Sequence, residues 1–199
     1  MATDQHHILR LGKLDEGRYL SSEEFASAEY EEPWRYERID GRLVIVSPAR
    51  EVHQDSSEPW RDRLVIYKIQ NPDVVQKVVS EAWIRVNDGT DRIGDIGIYL
   101  KSDKPQPPIP DRVPELIFEI VSPGRVSRER DYLRKRADYH RLGVREYVVI
   151  DPLTRKVTVF RWDSDGYVET VLTRDDVYTS PLLRGLVIPL TEVLSESLN

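Results

Sequence analysis

The chain has 199 residues, of which 39% are hydrophobic and 32% charged, and this balance is typical of one folded domain rather than a disordered chain. It contains no cysteine, which excludes disulfide bonds and thiolate metal sites. No apolar run approaches the roughly 20 residues of a membrane span, and no apolar signal segment is visible among the first residues. We therefore expect a cytoplasmic protein with no membrane partner.

The net charge of −6 argues against a protein that coats nucleic acid without sequence preference. The charge is uneven, because residues 125–145 carry eight basic and three acidic side chains, so that this window is +5 and the remainder of the chain is −11. The window is either a solvated helix face or a surface that contacts phosphates, and charge alone does not decide between them.

The first elements are an arm and a short helix. Residues 1–20 show no clear periodicity and predict a loose N-terminal arm, which is followed by a single domain over residues 21–199. Ser21 lies three residues before Glu24, and this capping-box spacing predicts the start of a short helix.

A hairpin and a longer helix follow. Apolar residues alternate on both sides of Asp40-Gly41, which is a strong hairpin signal. Residues 62–70 are helical by composition, and Pro59 either starts this helix or kinks a longer one that begins near Val52.

The middle of the chain is predicted to be rich in strands. Residues 74–86 form one or two strands, residues 87–92 a turn and residues 94–100 a further strand. The proline-rich residues 105–114 predict an extended loop, and the apolar run 115–121 predicts a buried strand.

A helix over residues 122–143 comes next, with Ser127 as its expected N-cap and Gly143 as its C-cap. Residues 145–151 are the following strand. Because a helix separates this strand from strand 115–121, we expect the two to be parallel within an otherwise antiparallel sheet.

The last strong signal is a second hairpin, formed by residues 155–162 and 167–172 around the turn "DSDG". With hairpins at both ends of the chain, the pattern predicts an α+β fold. Its core is a mixed β-sheet flanked by helices, with N- and C-terminal β-hairpin additions.

Two strands carry an acid where their pattern calls for an apolar residue. Asp95 precedes the apolar run of its strand, and Glu119 shares a face with Ile117 and Val121. If the strands are neighbours, both carboxylates enter one cleft, and such hard oxygen ligands suit Mg²⁺. The alternative for either acid alone is an ion pair with an arginine.

Five stretches in this order resemble the putative restriction endonuclease family, a large group of uncharacterised bacterial proteins in the PD-(D/E)XK nuclease superfamily. They are "YERIDGRLVIVSP", "GDIGIYL", "PELIFEIVSPG", "RDYLRKRADYHRLGVREYVVIDP" and "SPLLRGLVIPL". The resemblance runs from about residue 21 to residue 195. It implies a restriction-endonuclease-like core, Mg²⁺ or Mn²⁺ as cofactor, DNA as substrate and a homodimer that acts with one site per strand.

The resemblance assigns the site residues one by one. The superfamily's first acid follows a proline; here Gly94 stands in its place and Asp95 matches the acid. Glu119 matches the second acid. The lysine expected two residues later is absent, because Val121 occupies that position, and Lys135 on the next helix matches the lysine thought to replace it.

Whether Lys135 reaches the site depends on which face of its helix packs on the sheet. At about 100° per residue, Lys135 lies above Glu119 if the packed face contains Tyr132, Tyr139 and Leu142. It turns to solvent if the packed face contains Leu133, Ala137 and His140. A second alternative is an ion pair with Asp131, four residues earlier.

Further residues carry weaker expectations. The backbone carbonyl of Ile120 is expected to be a third metal ligand. Glu37 matches a family glutamate, which makes it either a further metal-site acid or a surface-strand residue. His53 either contacts phosphate or water, or is a helix-surface or capping histidine. The expected nucleic-acid contacts of the basic helix are Arg128, Arg130, Arg134 and Arg141.

These residues predict a metal-dependent endonuclease that hydrolyses phosphodiester bonds in DNA. The missing proline and the displaced lysine leave open a catalytically inactive nuclease-like fold that binds nucleic acid or a protein. A metal-dependent hydrolase of another substrate is a further alternative.

Overall fold

The structure, a computed structural model, describes residues 8–46 and 51–194. The chain divides into two compact units. The first consists of the described residues within Met1–Pro48 and Arg85–Ile93, and the second of those within Ala49–Ile84 and Gly94–Asn199.

The first unit is built from short strands and one short helix. Its elements are β1 (Arg10–Leu11), α1 (Ser22–Ser27), β2 (Glu29–Tyr30), β3 (Arg35–Ile39) and β4 (Arg42–Val46). β1 and β2 pair in parallel, and β3 and β4 pair antiparallel. The turn between β3 and β4 has positive φ at both Asp40 (51°) and Gly41 (78°), which confirms the predicted hairpin.

The capping box is also confirmed at the start of α1. The hydroxyl of Ser21 accepts the backbone N–H of Glu24, and the Glu24 carboxylate accepts the backbone N–H of Ser21. Two donors that a helix end leaves without partners are satisfied in this way.

Residues 8–20 differ from the loose arm that the sequence predicts, while residues 1–7 lie outside the described residues. Leu11 and Leu20 are buried in the first unit. The backbone N–H of Leu20 donates to the carbonyl of Gly41 at 2.7 Å, and that of Gly17 to the carbonyl of Leu43 at 2.8 Å. A two-residue strand and two leucine anchors are too short to give a periodic signal, which is why the pattern missed them.

The second unit contains the large mixed sheet. Its strands are β5 (Val75–Asn87) and β6 (Thr90–Leu100), which both also enter the first unit, then β7 (Leu116–Ile120), β8 (Glu146–Asp151), β9 (Lys156–Asp163) and β10 (Gly166–Leu172). Within this unit the strand order is β10-β9-β8-β7-β6, and β5 also pairs with β6. β7 and β8 are parallel, as predicted, and the other pairs with known register are antiparallel.

Two helical regions of the second unit accompany this sheet. The first is α2 (Glu51–Gln70), a single helix that contains Pro59. The second consists of α3 (Arg125–Glu129), a π-helical segment (Arg130–Lys135) and α4 (Arg136–Leu142) without interruption. A separate antiparallel pair, β11 (Val177–Ser180) and β12 (Leu183–Pro189), follows towards the C-terminus.

One end of the second helical region was predicted correctly and the other was not. Gly143 ends α4 with φ of 80°, which confirms the predicted C-cap. The helix begins after Gly124 (φ of 111°), so the prediction of Ser127 as N-cap is wrong. The hydroxyl of Ser127 lies 3.5 Å from the carbonyl of Pro123, the backward contact of a serine inside a helix.

β7 lies at the centre of the sheet and is buried along its whole length. One of its faces packs Phe118 and Ile120 into the cluster of Trp60 on α2. The other face packs Ile117 into the cluster of Tyr139 on α4. Because side chains alternate along a strand, Glu119 lies on the α4 side.

The mixed sheet and its helices confirm the predicted α+β class. In the described ranges, no helix has both the length and the apolar character needed to cross a membrane.

Candidate active site

The two acids of the sequence pattern lie on neighbouring strands of the second unit. The register of β6 and β7 pairs Ile96 with Phe118, and Asp95 and Glu119 are the next residues along the two antiparallel strands. The backbone N–H of Ile120 donates to Asp95 Oδ2 at 2.8 Å. Asp95 and Glu119 are both buried. The strands therefore bring the two carboxylates to one place in the sheet.

Lys135 reaches Glu119 from the helical region. Its Nζ donates to Glu119 Oε1 at 2.9 Å, and both side chains are buried. Val121, which occupies the superfamily's lysine position, is buried in the apolar cluster beneath the helix. The ammonium group beside the second acid thus comes from the helix, as the resemblance implies.

The packed face of the helix is the one that contains Tyr139. Leu133 is 60% exposed, so the alternative that buries Leu133 and turns Lys135 to solvent is wrong. Lys135 is the last residue of the π-helical segment. π-Helical segments are rare in proteins, and those that do occur frequently lie at functional sites.

Asp131 was the alternative partner of Lys135, and it lies in the same segment. Its carboxylate binds Arg130 at 2.8 Å, and its backbone carbonyl accepts the hydroxyl of Tyr147 at 2.9 Å. Asp131 is fully buried. An ion pair with Asp131 therefore does not hold Lys135 away from Glu119.

Tyr139 completes the surroundings of Glu119. Its hydroxyl donates to Glu119 Oε1 at 3.0 Å, so the same oxygen accepts from both Lys135 and Tyr139. From the sequence, Tyr139 is expected only as a packing residue. The signal that would have found it is its position four residues after Lys135, which places both on one helix face.

Burial raises the pKa of Glu119 to about 8. The ammonium of Lys135 opposes this effect, and the carboxylates of Asp95 and Asp131 add to it. The positive charge of Lys135 therefore does not offset the effect of burial, and the protonated form of Glu119 is favoured at neutral pH. An additional cation would favour the ionised form of Glu119.

His53 on α2 contacts the other acid. Its Nε2 lies 3.1 Å from Asp95 Oδ2, and the side chain is buried, so its placement on a helix surface is wrong. A contact between residues 42 positions apart left no local signal in the sequence. Contact of His53 with phosphate stays a prediction.

The donor set was tested against the implied metal. Within the described residues there is no cluster of three or more histidine, aspartate or glutamate side chains with the geometry of a metal site. Asp95 and Glu119 nevertheless fit Mg²⁺, which proteins usually hold through one or two carboxylates while several waters stay bound. The carbonyl of Ile120 as a third ligand stays a prediction.

Glu37 belongs to the first unit and has its own partners there. Its carboxylate accepts Arg92 Nη1 at 3.0 Å and the backbone N–H of Ile93 at 3.1 Å. Glu37 is buried, so the alternative of a surface-strand glutamate is wrong. Its role as a metal-site acid stays a prediction.

The four arginines predicted to contact nucleic acid all have acidic neighbours. Arg128 pairs with Asp151, Arg130 with Asp131, Arg134 with Glu129 and Arg141 with Asp138. The side chains of Arg134 and Arg141 are each 65% exposed, whereas those of Arg128 and Arg130 are less accessible. Exposed pairs are weak and exchange readily with other charges. Arg134 and Arg141 are therefore the two best suited to bind a phosphate.

Gly94 has a packing reason to replace the superfamily's proline. A Cβ atom at this position would lie 3.1 Å from Ile117 Cγ2 and 3.6 Å from Glu119 Oε1. The first distance is tighter than ordinary van der Waals contact. A side chain here would press on β7 beside the second acid.

Comparisons with known proteins identify a similar fold and a family. A putative nuclease belonging to DUF820 from Anabaena variabilis ATCC 29413 has a similar fold, with a TM-score of 0.70 and 16% sequence identity. The match covers 88% of this chain and 97% of that chain. No curated protein shows significant similarity. The Uma2 family, described as putative restriction endonuclease, matches residues 22–191. The chain belongs to this family.

Proposed function

We propose that this protein is a metal-dependent endonuclease that hydrolyses phosphodiester bonds in DNA. One observation carries the proposal: Lys135 Nζ lies 2.9 Å from Glu119 Oε1, beside the strand that bears Asp95. Two acids and a lysine that are far apart in sequence meet in the arrangement that the family resemblance implies. Membership of a family described as putative restriction endonuclease supports the same reaction.

Asp95 and Glu119 would hold Mg²⁺ or Mn²⁺. When bound, the ion neutralises charge on the phosphate and lowers the pKa of a coordinated water. The backbone N–H of Ile120 fixes Asp95 Oδ2, and Lys135 and Tyr139 fix Glu119 Oε1. The protein therefore holds its acids in place before substrate arrives, and this lowers the cost of reorganisation during the reaction.

Lys135 contributes a positive charge in a buried site. Negative charge accumulates on the phosphate as the water attacks, and a fixed ammonium nearby stabilises that transition state. The charge acts more strongly here than in bulk water, because the surroundings have a lower dielectric constant. Lys135 also orients the attacking water in this proposal.

The exposed arginines of the helical region would bind the DNA backbone and position the scissile phosphate. Cleavage of both strands of a duplex is proposed to use two copies of the chain, one site for each strand. DNA binding by the arginines and the pairing of two copies are separate from the chemistry at Asp95 and Glu119.

Cleavage assays test the proposal directly. Purified protein with Mg²⁺ or Mn²⁺ should cut DNA, and EDTA should stop it. Glu119→Gln and Asp95→Asn should each abolish cutting, whereas Glu129→Gln, which replaces a partly exposed acid of the same helical region, should not. The proposal fails if every DNA and RNA form stays intact, or if Glu119→Gln cuts as well as the wild type.

A second candidate is a nuclease-like fold that binds nucleic acid or a protein without cleaving. It is favoured by the lack of a three-side-chain metal cluster within the described part of the chain and by the engagement of Glu119 with Lys135. Calorimetric titration with Mn²⁺ separates the two candidates. Equal, weak binding by the wild type and Asp95→Ala would favour the inactive fold.

A further inference from the structure

A pocket of about 500 Å³ lies in the second unit, where β5 begins and β6 ends. One wall is the proline-rich loop, which contributes Pro105, Pro107 and Pro108. The last residue of β6, Leu100, lies five positions beyond Asp95, which is roughly 16 Å along an extended strand. The pocket is therefore separate from the two acids.

The lining of this pocket is positively charged. It contains Lys77, Lys104 and Arg112, and none of the residues that line it is an aspartate or a glutamate. The other lining residues are neutral, so the three positive charges face the pocket without an acid among them. An acidic ligand would find complementary charge there.

Arg112 is the strongest feature of the pocket, because it lines the pocket although it is only 6% exposed. Its Nη1 donates to the side-chain oxygen of Gln76, and its Nη2 donates to the carbonyl of Leu100 at 2.7 Å. Its Nε has no partner among the described residues. Within the described part of the chain, the guanidinium therefore donates to neutral oxygens alone, although it is almost completely buried.

Tyr99 lies directly beside Arg112 and also has a buried polar atom without a hydrogen-bond partner among the described residues. The guanidinium carbon lies 5.1 Å from the centre of the Tyr99 ring, and the buried Tyr99 hydroxyl has no partner among the described residues. A buried charge without an anionic partner is costly. An anionic ligand in the pocket would give Arg112 the partner that offsets this cost.

We propose that this pocket binds the phosphate group of a nucleotide-sized ligand. Three cations with no acid match a dianionic phosphomonoester better than a monocarboxylate. The pocket is mainly polar, its prolines add a small apolar surface for the remainder of the ligand, and its volume lies within the range of small-molecule sites. This inference does not depend on the proposed hydrolysis.

Calorimetry with AMP and adenosine tests the proposal, in EDTA so that no divalent ion takes part. Replacing Arg112 could disturb the loop that it anchors, so the test uses the exposed Lys77 and Lys104. AMP should bind saturably, and adenosine at least about tenfold more weakly. Lys77→Ala/Lys104→Ala should weaken AMP binding by at least about tenfold.

A matched control removes the same charge elsewhere. Lys101→Ala/Lys156→Ala replaces two exposed lysines that do not line the pocket, and it should bind AMP like the wild type. Two tetrathymidylates, one with a 5′-phosphate and one with a 5′-hydroxyl, are then compared. They show whether the pocket binds the phosphate of a free nucleotide or that of a DNA strand end. Lysine-dependent binding of AMP alone assigns the pocket to free nucleotides, and equal binding of the phosphorylated strand assigns it to strand ends.

Three results would overturn the proposal. The first is no saturable binding of AMP or of the phosphorylated strand at millimolar concentration. The second is equal affinity for AMP and adenosine, which would show that the phosphate is not recognised. The third is unchanged AMP affinity in Lys77→Ala/Lys104→Ala, or an equal loss in the control variant.

Discussion

Glu119 shows how the surroundings of one carboxyl group connect stability with function. Burial raises its pKa from the ordinary 4.5 to about 8, so the folded protein holds this proton more tightly than the unfolded chain does. The contribution of this proton to the free energy of unfolding is complete below about pH 4.5 and is lost as the pH rises through about 8.

We expect the metal-free protein to lose stability between about pH 5 and pH 8.5, by an amount on the order of a few kcal/mol. In Glu119→Gln the side chain does not titrate, so this part of the slope should disappear. Urea unfolding in EDTA at several pH values measures it. Glu129→Gln is the control, because that acid is partly exposed to solvent. Parallel slopes for the wild type and Glu119→Gln would show that the carboxyl group is already ionised.

Divalent metal should compete with this proton. If Asp95 and Glu119 hold the ion, millimolar Mn²⁺ should raise the melting temperature by several degrees, since binding to the native state stabilises it. The rise should be larger at about pH 8 than at pH 6, because protonation of Glu119 opposes binding. Glu119→Gln should show little effect of Mn²⁺ at either pH. A melting temperature insensitive to Mn²⁺ would contradict the shared metal site.

Tyr139 donates a hydrogen bond to Glu119, and we expect this bond to stabilise the ionised form of the carboxyl group. Tyr139→Phe keeps the ring contact with Tyr147, whose centre lies 5.1 Å away, and removes only the hydroxyl. We expect a loss of about 1–2 kcal/mol in the free energy of unfolding near pH 9, where Glu119 is ionised, and a smaller loss near pH 6. Urea titrations at both pH values test this, with the exposed Tyr19→Phe as control. An equal loss at both pH values would indicate a packing effect instead.

Sequence reasoning found the residues of the site better than it found their contacts. An acid inside an apolar strand is a local signal, and Asp95 and Glu119 were recognised from it. The contacts of His53 with Asp95 and of Tyr139 with Glu119 join residues 42 and 20 positions apart. Contacts of this kind follow from how the elements pack, and no local pattern encodes them.

At the scale of the element, the helical region from Arg125 to Leu142 combines a buried site residue with a basic surface. Its helical periodicity left two packed faces open, and the structure buries the face that contains Tyr139 rather than the one that contains Leu133. The π-helical segment was not predicted. An extra residue in one turn changes the direction of the side chains that follow without any change in composition.

The two surfaces of this region should respond differently to mutation. Arg134→Ala and Arg141→Ala each remove an exposed charge. If these arginines contact phosphates, each change should weaken DNA binding and lower the slope of log affinity against log salt by about one. Lys135→Ala should instead abolish cleavage and leave the salt slope nearly unchanged, because a buried charge at the reacting phosphate acts mainly on the transition state.

Fluorescence anisotropy at several salt concentrations, combined with single-turnover cleavage, measures both effects. Lys156→Ala, an exposed lysine outside the helical region, is the control for the salt slope. A normal cleavage rate in Lys135→Ala would limit the chemistry to the two acids. An unchanged slope in both arginine variants would identify the basic face as a solvated surface.

At the scale of the whole molecule, the fold class followed from the order of strands and helices. The parallel pairing of β7 and β8 was predictable because a helix connects them, and such crossovers favour parallel strands. The division into two compact units was not predictable. It runs through the two long strands β5 and β6, whose sequence pattern does not change where one unit gives way to the other.

The first unit also includes residues 8–20, which the sequence assigned to a loose arm. Replacing each of two leucines in this segment tests whether the segment is part of the folded unit. Leu20 is 1% exposed, whereas Leu14, in the same segment, is 101% exposed. Leu20→Ala should lower the free energy of unfolding by about 2–4 kcal/mol, since it leaves a cavity among buried side chains. Leu14→Ala should change it by less than about 0.5 kcal/mol, as is usual at exposed positions. Urea unfolding monitored by circular dichroism measures both variants. If Leu20→Ala is as stable as Leu14→Ala, residues 8–20 contribute little to the folded unit, and the prediction of a loose arm would hold in solution.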